Sequence, residues 1–250
     1  MRIFSNAYEL MSEIGRELNS YGSIVKPKTY QNKVIEGIDD FVTKELICKQ
    51  YCLTSLPDPR YLFIYTNTAA WANAEFQERI DRRGLNPGEA WKLNKDMWEQ
   101  FLVYDNNGTG MFDYTYSERM NINGKLDGII KLLKEDGDTR KAVLNIFTDR
   151  DTLYYDGSRR IPCSMYYDFL IRFNENGEKQ LNICYHQRSS DFVQHFGDDV
   201  YLAWRLMEYI AGETGLQPGY LYHTIDSLHS YKKDWGLLQT SIGELEFFYN

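Results

Sequence analysis

The chain has 250 residues, 43% of them hydrophobic and 15% aromatic, which is enough apolar side chain for a buried core and too much for an intrinsically disordered polymer. Its 36 acidic residues outnumber 28 basic ones, for a net charge of -8. Broad binding to nucleic acid polymers is disfavoured, because it draws on displaced counterions, whereas a local basic pocket for one small anion is allowed. No run approaches the length of a membrane span, and MRIFSNAYELMSEIGRELNSYG lacks the apolar stretch and small-residue cleavage site of a signal peptide. A cytoplasmic, single-domain protein over residues 1–250 is therefore expected.

In chain order, NAYELMSEIGRELNSYG spaces Leu10, Ile14 and Leu18 at helical intervals and predicts a surface helix stopped by Gly22. SIVKPKTYQNKVIEGI mixes β-branched residues with three lysines and a proline and reads as a loop running into a strand. Cys48 and Cys52 are spaced as if one helical turn apart; no second pair or nearby histidine completes four ligands, so both are expected to pack and no metal is expected. RYLFIYTN reads as a strand, AWANAEFQERIDRRG as a helix, and VYDNNGTGMFDYTY as a loop. GKLDGIIKLLKEDG places Leu126, Ile129, Ile130, Leu132 and Leu133 on a helix ending at Gly137. KAVLNIFT, SMYYDFLIRF and KQLNICYHQ read as strands, the last two joined by the turn NENGE, and DDVYLAWRLMEYIAGETG as a long buried helix. Helices alternate with strands and one hairpin interrupts them, which predicts an α/β fold on a mixed sheet.

Arg188 and Ser189 fall just past a predicted strand and before a helix, where α/β folds usually bind ligands. A guanidinium beside a hydroxyl suits a phosphate or carboxylate, since both donate to it at fixed angles. A surface arginine paired to Asp191 is the alternative that spacing leaves open.

The block IPCSMYYDFLI, then YHQRSSD, the long helix, and LQPGYLYHTIDSLHSY resembles the thymidylate synthase family, with its Pro-Cys active site, its Gln-Arg-Ser-x-Asp signature and its closing His-x-Tyr. The resemblance covers residues 161 to 231, while the first hundred residues match loosely. It implies a three-layer α/β fold around a mixed sheet, a homodimer, and one-carbon transfer from methylenetetrahydrofolate to carbon 5 of a pyrimidine nucleoside monophosphate. Cys163 is implied as the thiolate that adds to carbon 6 and makes carbon 5 nucleophilic; Cys184, among apolar strand neighbours, is expected to pack. Arg188 and Ser189 become the phosphate clamp, joined by Arg140 and Lys141 of a neighbouring subunit and by Lys28, or Lys26, in the N-terminal loop. His229 and Tyr231 match the pair that contacts the sugar hydroxyl, and Asp191 the carboxylate that contacts the folate ring.

Glu75 matches the water-ordering glutamate and lies 23 residues before Trp98, which matches the tryptophan lining the folate pocket. Tyr116 matches the tyrosine near the proton leaving carbon 5. Glu78 and Tyr114 are their rivals, and His186, His195 and His223 are expected to be structural.

Three departures from a synthase stand out. Eleven residues after Arg188, where synthases carry an asparagine that recognises uracil, stands Asp199. A carboxyl sharing a proton with the ring nitrogen suits cytosine, provided it titrates high, with Asp198 left to cap the helix. Ser164 follows the nucleophile in place of histidine, and DSLHSY is similar to the Ser-Leu-His-x-Tyr of viral deoxycytidylate hydroxymethylases. The expectation is deoxycytidylate 5-hydroxymethylation, with reductive methylation as the alternative and a uridylate-specific enzyme after it. Packing of the C-terminal LEFFYN around Trp98 is expected to control water access.

Overall fold

The computed structural model describes residues 1–30 and 33–249, with side chains through Leu245. The chain runs β1 (Arg2–Phe4), α1 (Ala7–Tyr21), β2 (Ser23–Val25), the short pair β3 (Thr29–Tyr30) and β4 (Lys33–Val34), and the long strand β5 (Thr43–Leu53). Then come α2 (Ala69–Ile80), α3 (Lys95–Trp98), the short pair β6 (Val103–Tyr104) and β7 (Gly110–Met111), α4 (Tyr116–Asn121) and α5 (Lys125–Glu135). The C-terminal half holds β8 (Val143–Asn145), β9 (Ser164–Phe173), β10 (Lys179–Asp191), α6 (Phe196–Thr214), β11 (Gln217–Tyr231), α7 (Trp235–Gln239) and α8 (Ile242–Tyr249).

Seven of these strands form one sheet in the order β1-β5-β11-β10-β9-β8, with β2 on β5. The pairs β1–β5 and β10–β11 are parallel and the others antiparallel, so the expected mixed sheet is observed. Helices α1 and α6 pack on one face, and α2 and α5 pack on α6, which makes α6 the middle layer. That position explains its sequence: Val200, Leu202, Ala203, Leu206, Met207, Ile210 and Ala211 are all buried, because sheet and outer helices sandwich it.

Local chemistry sets the ends of the helices. The Asn6 side chain accepts from the Glu9 backbone at 2.9 Å and caps α1, whose Leu10, Ile14 and Leu18 face the core with no exposed surface. Gly22 does end that helix, though not by a left-handed turn: its φ is -60°, and a Cβ there would sit 2.5 Å from the Leu18 carbonyl.

Across the core face of the sheet, Leu144, Tyr167, Tyr185, His223 and Tyr51 stand side by side in register. Tyr167 stacks on Tyr185 with centroids 4.3 Å apart, and Tyr185 on His223 at 4.5 Å. On the opposite face, Tyr166 and His186 reach solvent beside half-buried Cys184 and Tyr222.

Some expectations fail for identifiable reasons. RYLFIYTN is not a strand: Asp58 accepts from the Arg60 backbone at 3.1 Å and Pro59 starts a 3₁₀ turn, Pro59–Phe63, that buries Leu62 and Phe63. VYDNNGTGMFDYTY is not all loop, since β6 and β7 pair within it. SIVKPKTYQNKVIEGI holds three short strands; Gln31 and Asn32 lie outside the described residues. Cys48 and Cys52 sit on β5 and not on a helix, with Cys52 buried and Cys48 exposed at a φ of 53°.

Candidate active site

Parallel pairing of β10 and β11 sets Ser189 beside Ser227 and Asp191 beside His229 at the carboxyl ends of both strands. A cavity of about 710 Å³ opens there, within the range of small-molecule sites. It brings together Cys163, Arg188, Ser189, Asp191, Asp199, His229 and Tyr231 from the C-terminal half and Glu75, Trp98 and Tyr116 from the N-terminal half.

Cys163 immediately precedes β9, and its carbonyl accepts from the Arg188 backbone at 2.9 Å. The Ser189 hydroxyl donates to its sulfur at 3.5 Å. The Arg188 guanidinium donates to the Pro162 carbonyl at 2.9 Å and the Ile161 carbonyl at 3.1 Å, so the loop carrying Cys163 is tied to the arginine beside it. No ion pair between Arg188 and Asp191 occurs among the described residues, which sets aside the surface-pair alternative. The Arg188 charge is thus held against neutral carbonyls and is available to an anion.

Asp191 instead accepts from the Val193 and Gln194 backbones at 3.1 and 3.3 Å. Burial pushes its carboxyl up to about 7, and the nearby Asp234 adds to the rise. Asp199, in the first turn of α6, accepts from the Ser190 hydroxyl at 2.8 Å. Burial raises it to about 6 against the pull of the Gln187 amide, Ser190 and Arg79. A carboxyl poised there can exchange a proton with a ligand near neutral pH.

Asp198 does not cap α6. It is buried with Thr68, whose hydroxyl donates to it at 2.6 Å, and burial carries it up to about 8. The α6 N-cap, His195, makes no side-chain capping bond; burial lowers its imidazole to about 4 and leaves it neutral.

Behind Asp199 lies a buried chain of polar groups. Gln187 Oε1 accepts from His223 Nε2 at 2.8 Å, which leaves Nδ1 to accept from the Tyr51 hydroxyl at 2.7 Å. Burial lowers His223 to about 3, so the ring stays neutral and its tautomer is fixed by these partners. Gln187 therefore turns its amide N–H edge toward Asp199, although Nε2 completes no full hydrogen bond among the described residues.

The rival assignments differ in their contacts. Glu78 accepts from the Glu89 backbone at 2.5 Å and the Ala90 backbone at 2.8 Å and so is engaged in holding a loop, whereas Glu75 meets only Arg79 among the described residues. Tyr116 receives the Ser164 hydroxyl at 3.2 Å, next to the candidate nucleophile, and burial holds its phenol well above the ordinary range. Tyr114 donates at 3.4 Å to the Ile161 carbonyl. His229 is half-buried, and desolvation lowers its imidazole; Tyr231 packs edge-on to it at 5.3 Å.

Three expected residues do not line the cavity. Lys28 is exposed and pairs with Glu36 at 3.2 Å, and Arg140 and Lys141 lie exposed just before the edge strand β8. Conversely, Arg79, Arg160 and Glu45 line the cavity without a local motif to announce them. A helical Glu-x-x-x-Arg spacing at Glu75 and Arg79 was the one usable sign.

The walls also fit a flat heterocycle. Trp98 stacks on Trp71 at 5.3 Å, and its indole Nε1 is buried without a partner among the described residues.

Comparison with known proteins agrees with this geometry. The chain is 29% identical over 160 residues to a Methanosarcina barkeri protein provisionally named thymidylate synthase, covering 61% of this chain and 69% of that protein. It is 29% identical over 113 residues to the deoxyuridylate hydroxymethyltransferase of Bacillus phage SP01, covering 45% of this chain and 28% of the phage protein. The solved structure of thermostable thymidylate synthase A from Bacillus subtilis superposes with a TM-score of 0.67 at 17% identity, over 96% of this chain and 84% of that one. Residues 65–246 match the family model described as thymidylate synthase, which spans both halves of the cavity, and the chain belongs to the thymidylate synthase family.

Proposed function

We propose that the chain hydroxymethylates carbon 5 of deoxycytidine monophosphate, with methylenetetrahydrofolate as the one-carbon donor. The observation that carries this reading is Asp199: a cavity-lining carboxyl at about 6, where an amide would serve uracil. Cytosine offers an accepting ring nitrogen and a donating amine, and one carboxyl sharing a proton with that nitrogen satisfies both.

In this reading Arg188 and Ser189 grip the phosphate, and His229 and Tyr231 the sugar. The Cys163 thiolate adds to carbon 6 and the electron pair gathers on carbon 5. The bound folate supplies the methylene carbon, and Trp98 and Asp191 orient it. Tyr116 stands by the carbon 5 proton as it leaves, and the electrons of that C–H bond form the exocyclic double bond as the C–N bond to the folate breaks and tetrahydrofolate departs. Water then adds to the exocyclic carbon as Glu75 takes its proton, and the returning electrons expel the Cys163 sulfur.

Similarity to the phage deoxyuridylate hydroxymethyltransferase supports the hydroxymethyl product, while cytosine in place of that enzyme's uracil is supported by Asp199. Reductive methylation, which yields dihydrofolate, is the alternative that the archaeal relatives favour. Of the C-terminal LEFFYN, expected to limit water access, Leu245 is buried and the side chains after it lie outside the described residues. We further assign the open face of the sheet to a homodimer, in which each subunit would lend Arg140 and Lys141 to its neighbour's phosphate, with Lys28 closing from its loop.

The test incubates the protein with methylenetetrahydrofolate and each of four pyrimidine monophosphates and weighs the products. Hydroxymethyl on deoxycytidylate is expected. Methyl on cytosine moves the reading to the reductive alternative, and product on uracil alone refutes the base assignment.

A further inference from the structure

Glu75 and Arg79 lie one turn apart on α2, and both line the cavity. Arg79 Nε donates to Glu75 Oε1 at 2.8 Å, with side chains only 7% and 18% exposed. The guanidinium carbon also lies 4.1 Å from the centroid of the Tyr116 ring. Glu75 lines the cavity and, among the described residues, accepts no other hydrogen bond, which leaves its second oxygen without a partner. Arg79 in turn bonds to no other described side chain through its guanidinium.

An arginine is an expensive group to bury, and a neighbouring charge is what makes the burial tolerable. Here the guanidinium is fixed twice, at its edge by the carboxylate and on its face by the Tyr116 ring, a donor geometry that an ammonium could not reproduce. A carboxylate pinned through one oxygen loses its rotational freedom, and its other oxygen acquires a direction. For a proton acceptor that direction matters, because transfer requires the acceptor within hydrogen-bond reach of the water and on the correct side of it.

We propose that Arg79 is the positioning residue for Glu75, holding Oε1 so that Oε2 receives the proton of the attacking water. The inference rests on the hydroxymethylation reading and deepens it. In that step an O–H bond of water breaks and a C–O bond forms to the exocyclic carbon. The proton passes to Glu75 Oε2, and the electron pair displaced through carbon 5 expels the Cys163 thiolate. Arg79 is placed to act on this step through Glu75, while its charge also lowers the Asp199 carboxyl.

The test compares wild type, Arg79→Ala, Arg79→Lys and the double variant Glu75→Gln/Arg79→Ala. For Arg79→Ala, kcat for the hydroxymethyl product is expected to fall about 100-fold, the low end for loss of a positioned base, while KM for the nucleotide stays within about threefold. Millimolar guanidinium ion should restore part of that kcat by refilling the vacated space, and should do nothing for the double variant. A merely structural arginine would lower the folded fraction, read by circular dichroism, leave kcat per folded molecule at the wild-type value, and show no rescue in this pattern. If Arg79→Ala fails to fold, Arg79→Lys decides: it keeps the charge without the fork, and about a tenfold drop in kcat at unchanged KM is expected. Wild-type kcat in either variant, or equal rescue of the double variant, overturns the proposal. A wild-type protein that modifies no pyrimidine nucleotide overturns the functional reading instead, so the two failures are distinct.

Discussion

Asp198 offers a test of the buried electrostatics that needs no ligand. Its side chain is 4% exposed, accepts from Thr68 at 2.6 Å, and titrates at about 8 against an ordinary value of 3.8. The folded protein therefore keeps a proton that the unfolded chain releases from about pH 4 upward. The native state binds more protons across that window, so stability is whole below about pH 4 and is lost as pH rises through about 8. Between pH 5 and pH 8.5 the loss from this one group is about 4 kcal/mol, at 1.36 kcal/mol per unit. Asp191, at about 7, and Asp199, at about 6, contribute in the same direction over lower windows. Asp198→Asn keeps an oxygen for Thr68 and removes the titration. Urea unfolding of both proteins at pH 5 and pH 8.5 should show the wild type losing about 4 kcal/mol more than the variant. Equal losses, to within about 1 kcal/mol, would refute the assignment of a buried neutral carboxyl.

Three further outcomes follow from the site and its supports. Asp199→Asn should move kcat/KM toward uracil nucleotides by about 100-fold, since mispairing a buried polar edge costs about 3 kcal/mol; competition between the two monophosphates reads this, and an unchanged ratio sinks it. Cys163→Ala should abolish turnover while nucleotide binding by calorimetry stays within about threefold, as a thiolate added at carbon 6 acts after binding. Gly197→Ala places a Cβ 1.7 Å from the Leu62 carbonyl, where the start of α6 meets the Pro59–Phe63 turn, and should destabilise by about 3 kcal/mol in chemical denaturation. A variant as stable as wild type would mean that the turn yields freely.

Much of the fold was legible where a single period runs unbroken. Leu10, Ile14 and Leu18 mark α1, and SMYYDFLIRF and KQLNICYHQ mark the hairpin of β9 and β10. TKELICKQYCL escaped because the positive φ at Cys48 breaks its alternation, leaving exposed residues side by side ahead of the buried Tyr51, Cys52 and Leu53. RYLFIYTN misled because an apolar run fits a strand and a buried turn equally, and the preceding Asp58 and Pro59 decide between them. The site divides in the same way. Residues 161–231 carry contiguous signatures, whereas Glu45 reaches the cavity only through tertiary packing, which leaves no mark at short range, and Arg79 shows only its one-turn spacing from Glu75.

The chain through Tyr51, His223 and Gln187 reaches from the floor of the pocket to strand β5, on the far side of β11. A lineage that trades one pyrimidine for the other is therefore constrained beyond the residue that meets the base. An exchange at Asp199 encounters an amide already facing one way, and turning that amide over requires the imidazole's proton and the phenol's to be reassigned together. Discrimination between bases is in this sense a property of the interior, and substitutions that never approach the ligand can erode it.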